Sequence, residues 1–276
     1  TGEEDETRGL QIGAVDYVTK PISFPILRAR LSNQLDLKQA RDQLRNQNRF
    51  LEEEIQRRVT ENSKLQDITI HTMASLAETR DNETGNHIRR TQFYVKTLAE
   101  KLSTHPRFSD LLGDEHTIDL LFKSAPLHDI GKVGIPDSIL LKPGKLTPDE
   151  WDIMKTHAAI GRDAIERAEN TLGEDWPFLK FAKEITYSHH EKWDGSGYPQ
   201  GLSGEEIPIS ARLMALADVY DALINKRVYK PPMTHAEARA IIVEGKGAHF
   251  DPDVVEAFLD LESEFSRIAE KYADHA

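Results

Sequence analysis

Between Asp36 and Ile70 the chain carries neither glycine nor proline, and Gln, Arg, Glu, Asn and Leu dominate its composition. A stretch with no turn former reads as one long helix. Leu37, Leu44, Leu51 and Leu65 fall seven apart, with Arg58 interrupting the series, and Arg41, Asn48, Ile55, Asn62 and Thr69 stand four residues after each. Leucine at d with asparagine at a favours a parallel two-stranded coiled coil, because a buried asparagine pairs with its copy. A single solvated helix, held by intrahelical charge pairs, is the other reading of the same residues.

The 276 residues suffice for one or two domains with a real core, and 38% hydrophobic against 30% charged residues is ordinary for a helix-rich chain. There is no cysteine. Disulfides, zinc-thiolate sites and thiol nucleophiles are therefore excluded, and any metal must be held by nitrogen and oxygen. No apolar run approaches the ~20 residues of a membrane span, and no secretory signal is visible, so the cytoplasm is the expected compartment. A formal net charge of −12 argues against a nucleic-acid polymer as partner, but a small phosphorylated substrate is compatible with it.

The chain reads as starting inside a domain. Gly13 to Pro21 has the pattern of a turn, a short strand and a Lys-Pro loop, and a helix is expected from Pro25 to Leu35. One strand cannot make a sheet, so this piece needs partners. Gly13-Ala14-Val15-Asp16-Tyr17…Lys20-Pro21 resembles the end of a response-regulator receiver domain. That resemblance implies a cis Lys20–Pro21 bond, a lysine at Lys20 that meets the phosphorylated aspartate, and a sensor kinase as partner. Helical periodicity then continues: His71–Thr79, Ile88–Leu102, a third run through Leu120 and Leu127, then Pro148 towards Asn170, Pro177–His190, Ser210–Ile224, Thr234–Gly245 and a last helix from Pro252. Thr147-Pro148-Asp149-Glu150 is a helix start with its cap. No strand pattern follows residue 20, and the body is expected to be an all-α bundle.

His128-Asp129-Ile130-Gly131-Lys132 closes the third run. An imidazole beside a carboxylate, whose two oxygens can bridge two ions, is a candidate metal site where a buried helix meets a loop. Further donors are His157, the doublet His189-His190, and Asp218, an aspartate in an apolar helix that needs a compensating cation or hydrogen bonds. Asp221 lies three residues on and reads as the surface-facing counterpart of Asp218. Glu83 and His87 stand four apart, on one face of a helix that begins by residue 82.

In order and spacing, Glu83-x-x-x-His87, His128-Asp129-x-Gly131-Lys132, His157, His189-His190, Gly197-Tyr198-Pro199 and Asp218 resemble the HD-GYP family of the HD phosphohydrolase superfamily, over about residues 71–265. The resemblance implies hydrolysis of cyclic di-GMP to linear pGpG and onward to GMP. It implies two or three divalent ions, iron or manganese before zinc or nickel, as an imidazole–carboxylate set suits. Asp129 would bridge two ions, with His157, His189 and His190 around one and His128 and Asp218 at the other; Glu83 and His87 match a third site. Lys132 would reach a phosphate or the leaving oxygen, Asp81 matches a proton-transfer position, and Arg227 and Lys230 match cations that grip the substrate. Two glycines and a proline within Gly195–Pro199 set a fixed turn that presents Tyr198 at the pocket edge or to a partner such as a diguanylate cyclase domain. The expected architecture is an HD-type helical bundle (71–276) preceded by a coiled-coil helix (37–70), which would make a homodimer, and a short C-terminal remnant of an α/β receiver domain (1–36). A receptor that binds cyclic dinucleotide without hydrolysis, or an HD phosphodiesterase preferring cyclic GMP-AMP, are the alternatives.

Overall fold

The computed structural model describes residues 3–18, 20–80, 86–173, 176–225 and 232–273. The chain divides into two units, Thr1–Leu65 and Gln66–Ala276. The first holds helix α1 (Glu3–Gln11) and most of helix α2 (Phe24–Glu78). The strand expected near Val15 does not form. With no neighbouring strand to pair it, the extended segment gives its carbonyls to α2 side chains. Gln34 Nε2 donates to Val15 O at 3.3 Å, and Arg30 Nη1 to Tyr17 O at 2.9 Å and to Asp16 Oδ1 at 2.6 Å. The Lys20–Pro21 bond is cis, as expected. Helix α2 starts well before Asp36 and runs unbroken, and Leu37, Leu44, Leu51 and Leu65 lie exposed on it. Glu54 pairs with Arg57 at 2.6 Å and with Arg58 at 2.9 Å, intrahelical pairs that each add a few tenths of a kcal/mol (~0.2–0.5) to an isolated helix.

The second unit is all-α. Its helices after α2 are α3 (His87–Leu102), α4 (Ser109–Leu112), α5 (Glu115–Ser124), α6 (Asp137–Leu140), α7 (Pro148–Lys155), α8 (His157–Leu172), α9 (Pro177–Ser188), α10 (Ile209–Ile224), α11 (His235–Glu244), α12 (Pro252–Asp260) and α13 (Glu262–Lys271). Among the described residues the β pairing amounts to one isolated bridge, Lys246 with Phe250. Helix α10 is largely apolar, the mark of a helix buried over most of its surface. Leu213, Met214, Leu216 and Ala217 on it are fully buried, and α3, α9, α11 and α12 pack against it. Aromatic rings fill the far side of that core: Tyr94 stacks on Phe265 at 4.5 Å, and Tyr220 meets Tyr94 edge-on at 5.2 Å.

Two expected helices are each two. The run from Pro148 breaks at Thr156, whose N–H and hydroxyl both turn back to Ile153 O, at 3.0 and 2.6 Å. That tightens the last turn of α7 and leaves His157 as the first residue of α8. The last helix likewise breaks at Leu261, between α12 and α13. Helix α5 stops before Pro126, which has no N–H to continue it. Two short 3₁₀ turns follow, Ala125–Leu127 and Ile130–Gly134, and His128-Asp129 sits between them. The second turn lies directly against α8: a Cβ on Gly131 would stand 1.9 Å from His157 O. Glycine is required there because two backbones touch.

Candidate metal centre

Among the described residues, two groups of side chains each bring one donor atom per residue within 4.8 Å of the others: Asp129, His157, His189 and His190; and His87, His128 and Asp218. They come from α3, the turns after α5, the start of α8, the end of α9 and the middle of α10. Asp129 faces both. Its Oδ1 lies 3.2 Å from His157 Nε2 and 3.6 Å from His189 Nε2, and its Oδ2 lies 3.4 Å from His128 Nε2 and 2.7 Å from Lys132 Nζ. In the second group, His87 Nε2 is 3.3 Å from His128 Nε2 and 3.7 Å from Asp218 Oδ1.

The protein fixes which nitrogen each ring presents. His128 Nδ1 donates to Ala125 O at 3.0 Å, His157 Nδ1 to Met154 O at 2.8 Å, and His189 Nδ1 to Ile185 O at 2.9 Å. A carbonyl only accepts, so each Nδ1 carries the hydrogen. In the neutral rings Nε2 then offers a lone pair. His87 differs, because its Nδ1 meets Asp221 Oδ2 at 2.8 Å. Asp221 is not surface-facing: it is buried, and buried Arg90 clamps it with two bonds, Nε to Oδ1 at 2.7 Å and Nη2 to Oδ2 at 3.0 Å. Arg90 Nη1 also donates to Tyr272 O at 2.9 Å, tying the clamp to the end of α13. Sequence reasoning missed both residues; the available signal was Arg90 standing one turn after His87 on α3.

The donor set fits a cation. Asp129 Oδ1, His157 Nε2 and His189 Nε2 are buried with no hydrogen-bond partner. They face one another as acceptors, and each such orphan costs about 1–3 kcal/mol unless something satisfies it. A divalent ion would satisfy all three at once, and nitrogen and carboxylate oxygen are ordinary ligands for one. Burial works to raise the Asp129 carboxyl, but the Lys132 ammonium and His128 outweigh it and hold the group well below the ordinary range. Burial works to lower His128, and the Asp129 charge outweighs that and raises it. Burial lowers His189, and burial with the neighbouring His189 ring lowers His190 further. Both shifts favour the neutral ring, the form a metal ligand needs.

A cleft of about 490 Å³ opens beside these groups, lined by His189, His190 and Asp218 on one side and by Tyr198, Trp151 and His249 on others. The Tyr198 ring stacks on His190 at 4.7 Å and 28°, and Tyr198 N donates to His190 O at 3.2 Å. The loop is held by Glu191, a buried carboxylate that the sequence did not single out and that accepts from Gln200 N at 2.7 Å and Leu202 N at 3.0 Å. Burial, with Lys192 nearby, pulls His249 down to about 4. Of the residues expected at the site, Asp81, Glu83, Arg227 and Lys230 lie outside the described residues; His87, His128, Asp129, Lys132, His157, His189, His190 and Asp218 meet as stated.

Residues 71–254 match the HD domain family. The chain belongs to that family. It is 58% identical over 271 residues to a probable cyclic di-GMP phosphodiesterase of Vibrio cholerae serotype O1, a match covering 98% of this chain and 61% of that one. It is 61% identical over 210 residues to a second protein of that organism, named a cyclic di-GMP phosphodiesterase, covering 76% of this chain and 42% of that one. The chain thus spans less than two thirds of these relatives. A crystal structure of a cyclic GMP-AMP specific phosphodiesterase from V. cholerae superposes with a TM-score of 0.52 at 19% identity, over 76% of this chain and 51% of that one. That likeness establishes a shared HD-type helical fold. No helix among the described residues is long and apolar enough to cross a membrane.

Proposed function

We propose that residues 71–276 are an HD-GYP catalytic domain that hydrolyses cyclic di-GMP to linear pGpG and onward to GMP, using divalent ions held by the two side-chain groups. The observation that carries this reading is Asp129, whose two oxygens face the two groups separately. Asp129, His157, His189 and His190 would hold one ion, and Asp129, His128 and Asp218 its neighbour. Glu83 with His87, through His87 Nε2, would hold a third. Iron or manganese suits these donors best, with zinc or nickel next. When bound, such ions lower the cost of ionising water and of charge building on a phosphate.

The chain's own residues do the rest. Imidazoles fixed at Nδ1 keep Nε2 aimed, so the donors need no reorganisation when charge develops. Lys132 carries a proton and a positive charge 2.7 Å from Asp129 Oδ2, where it can neutralise a phosphate oxygen or protonate the leaving oxygen. Asp81 would assist that transfer, and Arg227 and Lys230 would hold the phosphates. Tyr198 forms part of the substrate wall and keeps His190 in place.

The names carried by the relatives support cyclic di-GMP as substrate. Residues 1–36 and 37–70 are proposed as a receiver tail and a dimerising coiled coil, in a cytoplasmic response regulator addressed by a sensor kinase, with Tyr198 available to a diguanylate cyclase domain. A strictly monomeric chain in sedimentation would contradict the coiled coil. The activity is tested by chromatography of products from protein loaded with iron or manganese. Cyclic di-GMP should give pGpG and then GMP, and Asp129→Ala should lose both bound metal and turnover. Tight binding with no product over hours would make the protein a receptor instead, and faster turnover of cyclic GMP-AMP would change the substrate.

A further inference from the structure

Helix α7 contributes no buried residue to the core. Its start is fixed by its own capping box, Thr147 with Glu150, and by Lys142, which pairs with Glu150 at 2.5 Å. Only Met154 packs inward, against the small cluster of Ile135, Ile139 and Leu140. A helix fixed in this way acts as a wall, and what it presents to the cleft is Trp151 and, one turn on, Lys155. Trp151 is 47% exposed. Exposure alone says little, since Trp176 is 49% exposed and lies outside the cleft lining. Position separates the two: the Trp151 indole stands edge-on to Tyr198 at 6.2 Å, in the same cleft as His189, His190 and Asp218.

We propose that Trp151 is a base-stacking platform, on which one purine base of a nucleotide substrate lies while its phosphate reaches the metal centre. The proposal rests on the phosphodiesterase reading above and adds to it the surface that recognises the base. An indole face offers the largest π surface of any side chain, and stacking a purine on it takes water from one face of each ring. No core residue demands the half-exposed ring, and a purine would cover it. Lys192 and Lys155, the latter paired with Asp152 at 2.6 Å, are the cleft cations that suit an anionic ligand. Stacking is indifferent to which purine is bound, so Trp151 sets affinity for purine nucleotides and leaves the choice between guanine and adenine to other groups.

The test compares full-length, metal-loaded wild type with Trp151→Leu, which keeps apolar bulk without a π face, and Trp151→Phe, which keeps a smaller one. Affinity for cyclic di-GMP is read by calorimetry, with KM and kcat by product chromatography and bound metal by elemental analysis. Trp151→Leu should weaken binding and raise KM between about fivefold and a hundredfold. Trp151→Phe should recover most of that loss, and metal content should equal wild type in both. A Leu variant that binds as tightly as wild type overturns the proposal, as does a loss that falls on kcat alone. Wild type that binds cyclic di-GMP without cleaving it rejects hydrolysis only, and the affinity comparison still decides the role of Trp151. Wild type that neither binds nor cleaves it overturns both.

Discussion

Each imidazole of the centre borrows an acceptor for its Nδ1–H, and the choice of acceptor separates the two groups. His128, His157 and His189 use carbonyls three or four residues back, and Ala125 O and Ile185 O accept a backbone N–H as well. His87 uses Asp221, a carboxylate locked by Arg90. Asp221→Asn should therefore weaken ion binding at the His87 group by about 10- to 100-fold, while the ion at His157, His189 and His190 stays bound, as metal titration would resolve. Equal weakening at both ions would contradict the separate roles. A pH effect follows from His249, which burial holds at about 4 against an ordinary 6.5. Between these values the unfolded chain binds a proton that the folded chain refuses, so stability falls as pH drops from about 6.5 towards 4. His189 and His190 act in the same sense, and His128, raised by Asp129, in the opposite one. Denaturant midpoints against pH should show a shallower acid loss in metal-free His249→Gln than in wild type, and superimposable curves would refute the assignment. The ligands were legible because His128-Asp129 and His189-His190 are chain neighbours and because Asp218 breaks an apolar helix. Asp221 was not: the same spacing that put it beside Asp218 suggested a decoy, and only tertiary packing brings Arg90 across to it.

Helix ends, more than helix middles, place the donors. His157 opens α8 because Thr156 turns back on Ile153 and ends α7. Apolar periodicity runs straight through that junction, so the sequence suggested one helix where two exist, and Leu261 hides the α12–α13 break in the same way. The strand near Val15 failed for the opposite reason: its local pattern was right, but a strand needs partners that this segment lacks. Thr147 and Thr234 were read correctly because a capping box is a local device, and both boxes are present. The contact of Gly131 with α8 gives an element-scale prediction. Gly131→Ala would drive a methyl group against His157 O, forcing the turn that carries Asp129 away from the helix that carries His157. The expected cost is about 1–3 kcal/mol of stability, with loss of metal at the Asp129 group. A variant with wild-type melting temperature and full metal content would show that the two backbones can part freely.

At the scale of the whole molecule, the all-α class was legible from periodicity and from the lack of any strand pattern after residue 20, whereas the meeting of α3, α8, α9 and α10 at one place was not. Nothing in a single sequence fixes which helices pack together, and the spacing of the donors became interpretable only through a family resemblance. The exposed leucines of α2 are the counterpart in the first unit, a periodic face whose partner the proposed dimer would supply. The account rests on one spatial claim, that Asp129 stands between two adjacent cation positions. Anomalous diffraction at the iron or manganese edge, from crystals of metal-loaded protein, tests it most directly. The account predicts two peaks about 3.5–4 Å apart, one beside His157, His189 and His190, the other beside His128 and Asp218, with Asp129 touching both and any third peak beside His87. A single peak, or peaks that leave Asp129 untouched, would contradict it.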